Sequence, residues 1–326
     1  GSWDSLGDRL STDHLENLRN ILPNATEVKN SSRMTESLHP AEEFLCTAAQ
    51  YCPDLPLRLD CFITCCHFGT NCKQGLRNAR KVIDACNEVI SNDKLARVLQ
   101  KMLAVGNIMN QGTFRGNATG FTVDSLLRMI NMKGADKKTS VLDYVVKSLY
   151  DRREEKVLAV ADDLAVVEEC SRMSGKEITR GLSDLLGTFD TLKGECEKVK
   201  ERRADGGTSP TPRQPSSGSR SPAKQQISST SDLFVAKLDD RIEEFKSQTD
   251  DVAKVRALMR RKVTELVEYF GEDEKEYDTT SIFSVLQQFR KALNESIATA
   301  ERKMRSAALS AAGSSGASSK RRSSMA

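Results

Sequence analysis

Apolar residues recur along most of this chain at the spacing of a helix face. In Asp93–Asn110, Leu95, Val98, Leu99, Met102, Leu103 and Val105 fall close to an i, i+3, i+4, i+7 stripe. Asn92 or Asp93 is placed to cap its start. Thr139–Tyr150 repeats the pattern with Val141, Leu142, Val145, Val146 and Leu149, and Thr139 is the expected cap. Asp250–Phe270 carries Val252, Val255, Leu258, Met259, Leu266, Val267 and Phe270, with Gly271 positioned to stop the helix. Thr280–Arg305 carries Ile282, Phe283, Leu286, Phe289, Leu293 and Ile297. A further apolar helix is expected over Val123–Ile130. Alternating patterns of convincing strand length are absent. The prolines agree, because none lies between Leu57 and Ser209 or after Ala223 and proline breaks helix interiors. The pattern predicts an all-α fold.

Composition divides the chain. Residues 202–231 are rich in Ser, Pro, Gly and basic side chains with almost nothing apolar, which predicts a disordered insert, helix resuming at Leu233. Residues 306–326 read as a disordered basic tail, and 1–11 as a disordered start or expression remnant. The helical body is therefore 12–305, interrupted by the insert. Net charge is +3, from 49 Lys+Arg against 46 Asp+Glu. The insert holds +4 and residues 313–326 hold +3, so the remainder is −4, with 41 basic against 45 acidic residues. A near-neutral body argues against a protein driven by nucleic-acid or membrane charge. No apolar run reaches the ~18 residues of a membrane span, and no secretory signal is visible. Nine cysteines, an odd number in 326 residues, suit free thiols in a reducing cytoplasm.

Candidate chemistry is sparse. Cys61, Cys65, Cys66 and His67, with Cys52 and Cys72 nearby, invite a zinc reading, but the paired C-x-x-C knuckles of a structural site are missing. Small buried thiols on a helix face are the simpler account, so no metal and no cofactor are expected. His14, His39 and His67 are the only histidines, and none adjoins a nucleophile motif. The segment from Gly106 to Gly120 is glycine-rich yet lacks the lysine and hydroxyl of a phosphate loop. An irregular loop of about a dozen residues inside a helical domain is unusual and often forms an interface. Asn107 and Asn110 at its start are suited to fixing one geometry through their amides.

Gly106-Asn107-Ile-Met-Asn110, followed by Gly120-Phe121, resembles the signature of the formin homology two domain. The flanks are similar too. Ala85-Cys86 with Ser91 and Leu95 resembles the helix entering that motif, and Lys133-Gly-Ala-Asp136-Lys137-Lys138 resembles the family's basic element. Leu164–Glu169 and the run from Glu265 through Gly271, Phe283, Phe289 and Arg290 resemble its later helices. The resemblance implies an elongated multi-helix rod with a post and coiled-coil-like C-terminal helices. It implies a cytoskeletal protein that acts on the actin barbed end as a head-to-tail dimer and promotes nucleation and elongation. Gly106, Asn107, Asn110, Gly120 and Phe121 would shape the post and dimer interface, and Lys133 and Lys138 would contact actin. Positive side chains suit an acidic partner.

Two features depart from the family pattern. The insert is longer and richer in Pro and Ser, with Ser209, Thr211 and Ser221 before prolines as candidate phosphorylation sites. Ser323 after Arg321-Arg322 is a fourth. Each would subtract about 1.5–2 charges from a basic segment. The lasso and early knob of the family cannot be placed, Trp3 being the only tryptophan. The alternative is a non-nucleating helical scaffold that binds microtubules or other cytoskeletal partners. An enzyme is the remotest reading. The expectation for this chain is a monomer or weak association, checked by sedimentation of the purified protein, where a tight ring-like dimer would contradict it.

Overall fold

The computed structural model describes residues 11–31, 39–52, 54–113, 116–134, 138–204, 223–273 and 278–322. The order is α1 (Thr12–Ile21), α2 (Ala25–Ser31), α3 (Pro40–Tyr51), α4 (Leu55–Ser91), α5 (Asp93–Met109), α6 (Val123–Asn131) and α7 (Val141–Asp151). A 3-10 turn (Glu155–Ala159), α8 (Val160–Asp163), α9 (Val166–Cys170), α10 (Gly175–Ala204), α11 (Ala223–Tyr269) and α12 (Thr279–Arg322) follow. The fold is all-α. Among the described residues the only β feature is an isolated antiparallel bridge, Lys133 to Ser140. The chain forms two compact units. Unit 1 holds 1–76 with 181–254, and unit 2 holds 77–180 with 255–326.

Unit 1 is built on aromatic and thiol side chains. Phe68 of α4 is 2% exposed and its ring lies 4.7 Å from Phe245 and 6.0 Å from Phe189. Cys61, Cys65, Cys72 and Cys196 fill the remaining space as small apolar groups. Leu15 of α1 packs with Leu59 and Phe62, and the Arg19 guanidinium donates to both oxygens of Asp60, at 2.7 and 3.0 Å. The same unit contains all three histidines. His14 and His39 form capping boxes with Ser11 and Glu42, and His67 lies 3.2 Å from Glu16.

Unit 2 packs α6, α7 and α9 on α12. The predicted faces are buried: Val141, Leu142, Val145, Val146 and Leu149 on α7, and Ile282, Phe283, Leu286, Phe289 and Leu293 on α12. Arg290 flanks this seam, donating Nε to Ala161 O at 2.7 Å and Nη1 to Glu168 at 2.8 Å. At Gly175 a Cβ would lie 2.6 Å from Thr279 Oγ1, so α10 can only start there against α12 as glycine.

Several boundaries differ from the sequence reading. Asn92 caps α5, its side chain accepting from Leu95 N at 2.9 Å. The cap of α7 is Ser140 rather than Thr139, because Asp143 three residues on closes a capping box. Helix begins again at Ala223, not Leu233; Ala-Lys-Gln-Gln directly follows the last proline and has good helix propensity. α12 runs on to Arg322 through the segment expected to lack structure, consistent with its alanines and absence of proline. Leu258, counted in the α11 stripe, is exposed. Ser209, Thr211, Ser221, Ser323, Lys137 and Trp3 lie outside the described residues.

Gly271 ends α11 as the sequence predicts. Its φ is +63°, Glu272 N donates to Val267 O at 3.1 Å and Gly271 N to Glu268 O at 2.9 Å, the Schellman arrangement. A Cβ at Gly271 would meet nothing within 4 Å, so only backbone conformation opposes a side chain. Gly271→Ala should therefore lower stability by about 1 kcal/mol, measured by urea denaturation.

Candidate functional site

The candidate site lies in unit 2, where α5 ends, the loop to α6 begins and the turn between α6 and α7 returns. α5 approaches α6 at Gly106, which is buried; a Cβ there would press on the terminal methyl of Met129. Glycine thus leaves room for the end of the Met129 side chain. One residue on, the Asn107 side chain clamps the loop. Its Nδ2 donates to Ala118 O at 2.9 Å and its Oδ1 accepts from Ala118 N at 2.8 Å. A primary amide matches a peptide unit donor for acceptor, which is why asparagine fits here.

Asn110 contributes through its main chain. Its carbonyl accepts from Thr113 N at 3.0 Å and Thr113 Oγ1 at 2.8 Å, and a Cβ on Gly116 would lie 2.8 Å from that oxygen. Gly116 is required by this close approach and Gly112 by its φ of +78°. Gly120 is required by neither, since a Cβ there would meet nothing within 4 Å. Phe121 is half-buried. Beyond it, Thr122 caps α6 by accepting from Ser125 N at 3.2 Å, and Glu272 accepts from Val123 N at 2.7 Å.

The basic turn is held by the bridge between Lys133 and Ser140. Gly134 N donates to Thr139 O at 2.8 Å and Val141 N to Met132 O at 3.2 Å. Lys133 and Lys138 are both exposed on this turn. Asp143 anchors its far end. Burial works against its carboxylate, yet hydrogen bonds from Ser140 N, Ser296 and the Ser140 hydroxyl hold its pKa below the ordinary value.

A groove of about 340 Å³ joins these pieces. Val105 and Met109 of α5, Gly134 and Thr139 of the basic turn, and Val141 and Tyr144 of α7 line it. Ile108 is 72%, Tyr144 59% and Met109 49% exposed. Burial periodicity does not single out these three. The signal was present, because Ile108 and Met109 fall off the buried stripe of α5 while remaining large and apolar.

The cysteine segment lies elsewhere, in unit 1. Burial pushes the Cys61 thiol up to about 11 and the Cys65 thiol up to about 12, against the thiolate a metal needs. Among the described residues no group of three or more His, Cys, Asp or Glu side chains comes together as a ligand set. No described helix is long and apolar enough to cross a membrane.

Residues 4–294 match the sequence family described as the Formin Homology 2 Domain. Formin-like protein 20 of Arabidopsis thaliana is 26% identical over 299 residues, which are 90% of this chain and 16% of that protein. Formin-like protein 21b of Arabidopsis thaliana is 27% identical over 283 residues, 86% of this chain and 64% of that protein. Formin-like protein 3 of Oryza sativa subsp. japonica is 26% identical over 299 residues, 90% and 22% respectively. The chain therefore spans less than two thirds of the length of these relatives.

The Asn107 clamp is directly testable. Asn107→Ala leaves the Ala118 amide without its partner and should cost about 1–2 kcal/mol. Hydrogen exchange at Ala118 should speed up, while exchange within α7 should stay unchanged.

Proposed function

Because the chain belongs to the formin homology 2 domain family, we propose that in the intact protein it binds actin at filament barbed ends and promotes nucleation and elongation as a head-to-tail dimer. The observation that carries this reading is the groove where the asparagine motif, the basic turn and α7 meet. Its lining residues Met109 and Tyr144, and Ile108 beside Met109 in the chain, are solvent-exposed in the single chain. Exposed apolar groups clustered beside charge are the composition of a protein contact. Lys133 and Lys138 supply that charge and steer an acidic partner to it.

Gly106, Asn107 and Asn110 act by shape. They fix the end of α5 and the course of the loop, so the exposed side chains keep one arrangement. Gly120 leaves room for a partner to approach the backbone next to Phe121. The work is binding rather than covalent chemistry, and the setting is the cytoplasmic cytoskeleton. The two lysines contact actin, and the shaped loop contributes to the dimer.

Single-filament imaging tests this. Actin seeds supplied with the protein should elongate at a changed barbed-end rate, and Lys133→Glu with Lys138→Glu should remove the effect. Growth unaffected by the wild-type protein would overturn the reading. Co-sedimentation with microtubules in that case would replace it with the scaffold alternative.

A further inference from the structure

The start of α6 is held by two residues of different reach. Thr122 is local: its hydroxyl accepts from Ser125 N at 3.2 Å and its carbonyl from Leu126 N at 2.9 Å. Such a cap moves with its helix. Glu272 is remote. Its Oε1 accepts from Val123 N at 2.7 Å, from 149 residues away in the chain. Val123 is 2% exposed, so water is a poor substitute acceptor for its amide, and a buried donor left unpaired is costly.

Glu272 is itself fixed. It follows Gly271 in the turn that ends α11, and its own N–H donates to Val267 O at 3.1 Å. Val267 and Phe270 are buried, which seats that turn on the core of unit 2. The carboxylate also meets the positive end of the α6 dipole. The bond to Val123 therefore ties the start of α6 to the end of α11, which a local cap does not do.

α6 has nine residues, about 14 Å of helix, and both of its ends enter the candidate site. Phe121 precedes its cap at one end. At the other, Met132 N donates to Met129 O at 3.2 Å and Lys133 bridges to Ser140. A helix this short does not persist by itself in water, and a shift along its axis displaces Phe121 and Lys133 together. We propose that Glu272 is a positioning residue for the partner surface. Its carboxylate sets where α6 begins, and through α6 it places Phe121 and the basic turn that carries Lys133. It works as an acceptor within the chain rather than as a charge shown to the partner. The proposal rests on the actin reading above and adds to it a residue outside both the asparagine motif and the basic turn.

Glu272→Ala and Glu272→Gln in the full chain test this, the second keeping an acceptor oxygen without the charge. Hydrogen exchange in Glu272→Ala should speed up at Val123 and also at Gly134 and Val141, whose N–H groups close the basic turn, while exchange within unit 1 stays unchanged. In single-filament imaging, Glu272→Ala should raise the concentration that half-saturates the barbed-end effect by about fivefold or more, the fold-change expected from unpairing a buried donor. Glu272→Gln should return both readouts towards wild type, with unchanged circular dichroism in each variant. Faster exchange confined to Val123 would overturn the proposal and leave a local cap. So would wild-type half-saturation in Glu272→Ala. Equal loss of the filament effect in both variants, with Val123 still protected in Glu272→Gln, would also overturn it and make Glu272 a direct charge contact. A wild-type chain inert on actin would overturn the actin reading instead, and exchange at Gly134 and Val141 would still decide whether Glu272 positions the turn.

Discussion

The apolar seam of α12 is the constraint on which unit 2 depends. Ile282, Phe283, Leu286, Phe289 and Leu293 are fully buried along one face, and α6, α7 and α9 all pack on it. Those partners have 9, 11 and 5 residues, too short to persist as isolated helices in water. Their structure comes from the seam, and so does their spacing. The loop before α6 and the turn before α7 inherit positions from the same source. The candidate site is therefore made of irregular backbone whose ends are fixed by a regular face.

Much of this was readable from period alone, and α7 shows why. All five predicted positions are buried because the short helix presents one face to one core. The Asp250–Phe270 stripe was less reliable. Residues up to Lys254 belong to unit 1 and those from Val255 to unit 2, so counting a single period across them misassigned Leu258. The cap at Ser140 turned on a partner, Asp143, which adjacent hydroxyl residues alone do not reveal. In the tail, Ser and Gly suggested irregular chain, while alanine propensity carried helix to Arg322.

At the site, the glycine and asparagine motif was visible as a pattern but not as a division of labour. Asn107 works through its side-chain amide and Asn110 through its carbonyl, and residue identity does not distinguish these. The glycines divide likewise: Gly116 is required by contact with backbone, Gly106 meets only the movable end of Met129, Gly112 is required by conformation, and Gly120 by nothing within its own chain. The exposed apolar side chains Ile108, Met109 and Tyr144 escape a periodic pattern because that pattern marks what is buried. Charge needed the same correction. Net charge conceals the exposed lysines of the basic turn, which only placement reveals.

The Asn107 clamp closes a ring from one helix end to Ala118, eleven residues away. With both ends pinned, the stretch between them is free to change length without moving either helix. Closing a longer flexible loop costs only about 0.6 kcal/mol for each doubling. One amide side chain thus gives the loop a fixed mouth, so the helix end that displays Ile108 and Met109 keeps its register.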